Sequence, residues 1–103
     1  MARPRVALVI PTLNEEAAIG GVLAAVPRDV VDEVIVVDSG STDRTVDRAR
    51  AGGARVVIES QRGYGRACCT GAEAAAGFDI VVGSDTDRVH ATLRAHHVFH
   101  GEA

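Results

Sequence analysis

The sequence predicts an α/β domain built on a parallel sheet, and three observations predict it. Short runs rich in Val and Ile recur four times, at residues 5–10, 33–37, 55–59 and 79–82. Segments of helical length separate them. The runs are apolar throughout rather than alternating, the pattern of strands covered on both faces. The resulting order βαβαβαβ implies right-handed crossovers, with helices on both sides of the sheet.

The first strand runs from Arg5 to Ile10, and Pro11 is expected to end it. Asn14 is placed to cap a helix, with Glu15 and Glu16 at its positive end. Ile19, Val22, Leu23 and Val26 recur at three- and four-residue spacing, predicting a helix from Glu15 to Val26. Gly20 and Gly21 weaken it and Pro27 stops it. The second strand is Glu33 to Val37, followed by the polar loop Asp38 to Asp43. A helix from Asp43 to Ala51 closes at Gly52-Gly53. The third strand is Arg55 to Glu59; after the loop at Arg62 to Gly65, a small-residue helix runs from Tyr64 to Ala76. The fourth strand, Asp79 to Val82, leads into Ser84-Asp85-Thr86-Asp87. Ligands of such sheets bind outside the carboxyl ends of the strands. The loops at Pro11–Glu15, Asp38–Asp43 and Asp85–Asp87 should therefore meet at one cleft.

Residues 88–103 differ. All four histidines fall between His90 and His100, and a helix there has only Val89, Leu93 and Val98 for its apolar side. Such a helix would pair His96 and His97 with His100 on one face. Adventitious Zn²⁺ or Ni²⁺ binding is one reading of that cluster, and a solvated tail is the plainer one.

Composition excludes several functions. The net charge is −3, and all eleven basic residues are Arg. Without Lys there is no Walker P-loop, no Schiff-base lysine and no kinase strand lysine. Neither half of the chain is basic and only Tyr64, Phe78 and Phe99 are aromatic, so a nucleic-acid surface is not expected. Cys68 and Cys69 are adjacent, which reads as reduced thiols packed in a helix, in a cytoplasmic setting. No apolar run approaches the ~20 residues that span a bilayer.

Asp85 and Asp87 carry the sharpest chemical signal. Two carboxylates two residues apart, after a buried strand, can share Mg²⁺ or Mn²⁺ with substrate phosphates. Asp38, at the end of the second strand, can accept hydrogen bonds from a ribose or base; the plain alternatives are a solvated loop acid or a cap. Ser41, Thr42 and Asp43 read as caps. Arg62-Gly63-Tyr64-Gly65-Arg66 offers cations and backbone N–H groups to a phosphate or nucleotide. A dinucleotide fingerprint is discounted there, because Cys68 stands where its third glycine would be.

Taken together, the chain resembles the amino-terminal half of a family 2 glycosyltransferase of the GT-A fold. Four motifs carry the resemblance over residues 5–87: Val9-Ile10-Pro11-Thr12-Leu13-Asn14-Glu15-Glu16, Val34 to Asp43 around Asp38-Ser39-Gly40-Ser41, Arg62-Gly63-Tyr64-Gly65-Arg66-Ala67, and Asp79 to Val82 leading to Asp85-Thr86-Asp87. The third has the flavour of the dolichol-phosphate mannose synthase group and its bacterial polyprenyl-phosphate relatives. The resemblance implies a Rossmann-like sheet, for which strand order 3-2-1-4 is expected. It implies transfer of a sugar from a nucleotide-diphosphate sugar, with inversion, to a lipid-phosphate (polyprenyl-phosphate) or saccharide acceptor. It places Pro11, Leu13 and Glu15 at the base and ribose, Asp38 on the base or ribose, and Arg62 near the base or diphosphate. Asp85 would lie at the ribose and metal, and Asp87 would ligate the Mg²⁺ or Mn²⁺.

Leu13 stands where many relatives carry an aromatic, and Ser39 replaces the second acid of a common Asp-Asp pair. No catalytic base is identified; the family places it in a carboxyl-terminal half. Residues 1–87 are thus expected to form the nucleotide-sugar-binding half-domain, and 88–103 an atypical tail, a truncated or frameshifted end. The competing reading is a non-catalytic nucleotide- or metal-binding fragment. A half-sheet leaves an open edge through which copies could associate. The expected location is cytoplasmic or peripheral at the inner membrane face.

Overall fold

The computed structural model describes residues 3–83 and 97–100. The elements, in chain order, are β1 (Val6–Thr12), α1 (Glu16–Ala24), β2 (Glu33–Asp38), α2 (Thr45–Ala51), β3 (Arg55–Ile58), α3 (Tyr64–Ala74), β4 (Ile80–Gly83) and β5 (His97–His100). The sheet order is β3-β2-β1-β4-β5. The first four strands are parallel in the expected order 3-2-1-4, and β5 joins β4 antiparallel.

The alternation of β1 sorts its side chains to two layers. Val6, Leu8 and Ile10 pack with Ile19, Val22 and Leu23 of α1 and Ala49 of α2. Ala7 and Val9 face the other way, onto Ala67 of α3, Ala75 just beyond it, Phe78 and Val81. The buried stripe of α3 comprises Ala67, Gly71 and Ala75, spaced one helical turn apart. These small residues let the helix lie close on the sheet. A Cβ built on Gly71 would stand 2.2 Å from Val9 Cγ1.

Four expectations change. Pro11 does not end β1, which continues through Thr12, paired with Asp38. The carbonyls of Val6 and Thr12 accept bonds on the β2 side, from Asp32 and Ser39, whereas that of Arg5 accepts from Asp79 and Ile80 on the β4 side. Odd-numbered backbone groups therefore face β4. Pro11 lies past the last described pair on that side, Val9 opposite Gly83, so its missing N–H breaks no ladder bond among the described residues.

The tail, weighed as a helix, instead contributes β5, with Gly83 opposite His97 and Ile80 opposite His100. The open edge of β4 offers unpaired backbone groups, and Val98-Phe99 suits a strand; the helical pairing of His97 with His100 does not form. Cys69 is exposed and Cys68 half-buried, because the Ala67–Gly71–Ala75 stripe takes the packed face. Finally, Asn14 does not cap α1, for reasons that belong to the site.

Candidate functional site

β1 and β2 end side by side, Thr12 opposite Asp38, so the loops leaving them start together. Asp38 is 1 % exposed. A carboxyl group so far from water needs hydrogen-bond partners, and it has four. Its Oδ1 accepts from Thr12 Oγ1 at 2.8 Å and Ser41 Oγ at 2.5 Å. Its Oδ2 accepts from the backbone N–H groups of Gly40 at 3.1 Å and Ser41 at 2.8 Å. Asp38 is no solvated loop acid; both its oxygens brace the turn that follows β2.

Asn14 adopts a left-handed backbone conformation, φ +53°, which takes it out of capping position. Its side chain reaches the other loop, where Oδ1 accepts from Thr42 N–H at 2.9 Å, and its own N–H donates to Ser41 Oγ at 2.8 Å. The start of α1 is instead capped from across the cleft. Thr45 Oγ1 accepts from Glu15 N–H at 2.8 Å, and Asp43 Oδ2 accepts from Glu16 N–H at 3.2 Å. Asp43 also caps its own helix, accepting from Thr45 N–H at 3.0 Å and from the Thr45 hydroxyl. The Thr45 hydroxyl, with the N–H groups of Thr45 and Glu16, holds the Asp43 carboxyl below its ordinary 3.8 against the opposing pull of burial. Glu16 returns the bond by accepting from Arg44 N–H at 3.2 Å. The expectation of caps at 41–43 thus holds for Asp43, whereas Ser41 and Thr42 bind the neighbouring loop.

Pro11, near the end of β1, and Glu15, on the loop after it, are half-buried, and Leu13 on that loop is 37 % exposed. Arg62 lies exposed on the β3–α3 loop. That loop is organised by Glu59, an acid that sequence reasoning left at a strand end. Glu59 is 8 % exposed and accepts from Gln61 N–H at 2.9 Å, Arg66 Nε at 3.3 Å and the Thr70 hydroxyl. The Thr70 hydroxyl and the Gln61 N–H hold its carboxyl below the ordinary range, aided by the Arg66 cation. The visible signal was the four-residue spacing of Arg66 and Thr70, which puts both on one helix face. The loops after β1 and β2 therefore meet as expected; the third expected contributor, with Asp85 and Asp87, lies outside the described residues.

Comparison with known proteins fits this architecture. Residues 7–97 match the family described as Glycosyl transferase family 2. The chain belongs to that family. Among curated family 2 relatives, glucosyl-3-phosphoglycerate synthase of Mycobacterium tuberculosis is 44 % identical, over 82 % of this chain and 29 % of the relative. An uncharacterized glycosyltransferase of the same organism is 45 % identical, over 73 % of this chain and 34 % of its own length. The synthase crystallised with Mn²⁺, UDP-glucose and phosphoglyceric acid superposes with a TM-score of 0.72 at 44 % identity, covering 81 % of this chain and 33 % of that one. Its complex with Mn²⁺, UDP and glucosyl-3-phosphoglycerate gives a TM-score of 0.72 at 41 % identity, with shares of 81 % and 33 %. The chain spans about a third of the length of these relatives. The GT-A architecture is thus shared, and the relatives of named activity are glucosyl-3-phosphoglycerate synthases rather than the polyprenyl-phosphate group suggested by the Arg62–Ala67 motif.

Among the described residues, no group of three or more His, Cys, Asp or Glu is placed to hold a metal ion, and no helix is long and apolar enough to cross a membrane. An open cleft of about 370 Å³, lined by Arg28, Asp32, Glu33 and Arg55 among others, lies at the amino ends of β2 and β3. It is at the opposite end of the sheet from the latched loops. Arg55 is paired with Glu33 at 3.1 Å, and Arg28 donates to the Gly52 carbonyl at 3.1 Å.

Proposed function

We propose that this chain binds a nucleotide-diphosphate sugar, UDP-glucose in the first instance, outside the carboxyl ends of β1 and β2, and forms the donor half of a metal-dependent inverting glycosyltransferase. The observation that carries the reading is its 44 % identity to a synthase solved with Mn²⁺, UDP-glucose and phosphoglyceric acid. The joined β1–α1 and β2–α2 loops support it, since they form one wall at the end of the sheet where such ligands bind.

In this reading Pro11, Leu13 and Glu15 border the base and ribose, Asp38 fixes the turn beside them with its contact to the nucleoside, and Arg62 faces the base or diphosphate. Asp85 and Asp87 hold the divalent cation, Asp85 also near the ribose. β4 supports that role, because Gly83 ends beside Val9 of the central strand and Asp85 follows two residues later in sequence. A bound Mn²⁺ or Mg²⁺ supplies Lewis acidity toward the leaving nucleoside diphosphate. The acceptor of this reading is a small phosphorylated acid such as phosphoglyceric acid; a polyprenyl phosphate is the alternative carried by the Arg62–Ala67 motif.

Thermal unfolding of the purified chain with Mn²⁺ and UDP, GDP or TDP and their sugars tests donor binding. A ligand at 100 times its Kd adds about 2.7 kcal/mol, a rise of roughly ten degrees or more for a domain of this size. The expected result is a Mn²⁺-dependent rise with UDP and UDP-glucose that Asp87→Ala abolishes. A cooperative transition that no nucleotide moves would overturn the proposal. UDP release from UDP-glucose on adding 3-phosphoglyceric acid separates transfer from binding alone.

A further inference from the structure

Asn14 takes part in the bonds that join the two loops and has no assigned contact to the donor. We infer that Asn14 is a positioning residue, an inter-loop latch that sets Leu13 and Glu15 in place before the donor arrives; the inference rests on the donor site proposed above.

Asn14 lies between the two residues expected at the base and ribose. Its left-handed φ of +53° is unfavourable for most L residues and tolerated by Asn. Glycine would adopt that dihedral freely, so the backbone alone does not require a side chain there. What the side chain adds is contact with the neighbouring loop, its Oδ1 accepting from Thr42 N–H at 2.9 Å and more weakly from Thr42 Oγ1 at 3.4 Å.

The backbone of Asn14 is tied as well. Its N–H donates to Ser41 Oγ, Ser41 Oγ donates to Asp38 Oδ1, and Thr12 Oγ1 donates to the same oxygen. Thr12 belongs to β1 and Asp38 to β2, so the chain of bonds starts and ends in the sheet. It thereby transmits the fixed spacing of two paired strands to the exposed Leu13. Each bond is satisfied without a ligand, so the wall is formed in advance. A donor then binds without the entropy cost of ordering it.

Asn14→Gly removes the side-chain bond and keeps the dihedral. Ser41→Ala removes the hydroxyl that joins Asn14 to Asp38, and Ser41→Thr restores it. Isothermal titration of UDP with Mn²⁺ into each variant gives affinity, and amide hydrogen exchange of the unliganded chains gives loop order. One lost neutral hydrogen bond is worth about 1 kcal/mol, or roughly five- to tenfold in Kd. The expected pattern is a five- to tenfold weaker Kd for Asn14→Gly and Ser41→Ala. Exchange should quicken at Leu13 to Glu16, the melting temperature should fall by roughly 4–8 °C, and Ser41→Thr should recover.

Wild-type affinity and wild-type exchange at Leu13 to Glu16 in both variants would overturn the latch. So would a lower melting temperature with unchanged affinity and unchanged local exchange. If the unmodified chain fails to bind UDP, the donor-site proposal falls; faster local exchange in the variants then supports the latch by itself, and unchanged exchange overturns it.

Discussion

Replacing Gly71 with alanine sets two effects of similar size against each other. Alanine in a helix interior is favoured over glycine by about 1 kcal/mol. Opposing that, the new Cβ would lie 2.2 Å from Val9 Cγ1 and 3.1 Å from Cγ2. Carbon atoms prefer a separation of about 3.5–4.0 Å, so α3 and β1 must part by roughly 1.3 Å or more. Val9 cannot give way easily. It is 2 % exposed on the central strand, its β-branched χ1 is stiff, and rotation brings the other methyl into the same space. Overpacking of this kind costs about 1–3 kcal/mol and occasionally more, so against the helix gain Gly71→Ala should destabilise by about 0–2 kcal/mol net. That corresponds to a fall in Tm of up to roughly 15 °C for a domain of this size. Gly20→Ala is the internal control. It lies mid-helix in α1 with nothing within 4 Å of the added Cβ, and should stabilise by about 0.5–1 kcal/mol. Thermal unfolding by circular dichroism at a fixed scan rate reads both, and Val9→Ala combined with Gly71→Ala should show coupling beyond additivity. Equal stabilisation by Gly20→Ala and Gly71→Ala would refute the close approach of α3 to the sheet.

Two further predictions follow from the hydrogen-bonded acids. Asp38→Asn turns an NH₂ group toward the Gly40 and Ser41 N–H donors or toward two hydroxyls, and should destabilise by about 2–3 kcal/mol in urea unfolding; a wild-type midpoint would show that the four bonds to Asp38 carry little. Asp32, Asp43 and Glu59 are all held below their ordinary values of 3.8, 3.8 and 4.5, respectively by the Val6 N–H, the Thr45 hydroxyl and the Thr70 hydroxyl first of all. The unfolded chain therefore binds more protons at these sites in acid, and their stabilisation is complete above about pH 5 and lost as pH falls through the folded values. The urea midpoint should be lost progressively below about pH 4.5, and Glu59→Gln should flatten part of that slope; an acid limb unchanged by Glu59→Gln would remove Glu59 from the account.

Strand composition made the sheet legible. Residues such as Val34 to Val37 are apolar without alternation because both faces of β2 are covered, and that pattern survives without any knowledge of neighbours. The ends of the same apolar runs located the loops after β1 and β2. Their internal chemistry was less visible. Asn14 and Asp43 each have sound local reasons to cap the helix they precede, yet Asp43 caps across the cleft as well, and Asn14 has turned left-handed to meet Thr42. Glu59 was overlooked because its partners Arg66 and Thr70 lie on another element. The spacing of Arg66 and Thr70 puts them on one helix face but does not name the acid on the other element that they meet. β5 escaped for a related reason, since its pairing depends on the free side of β4 rather than on the composition of a His-rich segment.

Pro11 has a consequence beyond its place in β1. The order β3-β2-β1-β4 reverses direction between β1 and β4, and there the two strands must diverge if anything is to enter between them. Backbone pairing tends to propagate like a zipper, one bond recruiting the next. An imino acid on the β4 side of β1 is a stop in that zipper, because position 11 has no hydrogen to offer. Pairing of β1 on that side therefore lacks a donor at position 11, and this costs nothing at the β2 side, where Thr12 continues its pairing with Asp38. A single residue closes one seam of the sheet to growth while leaving the other intact.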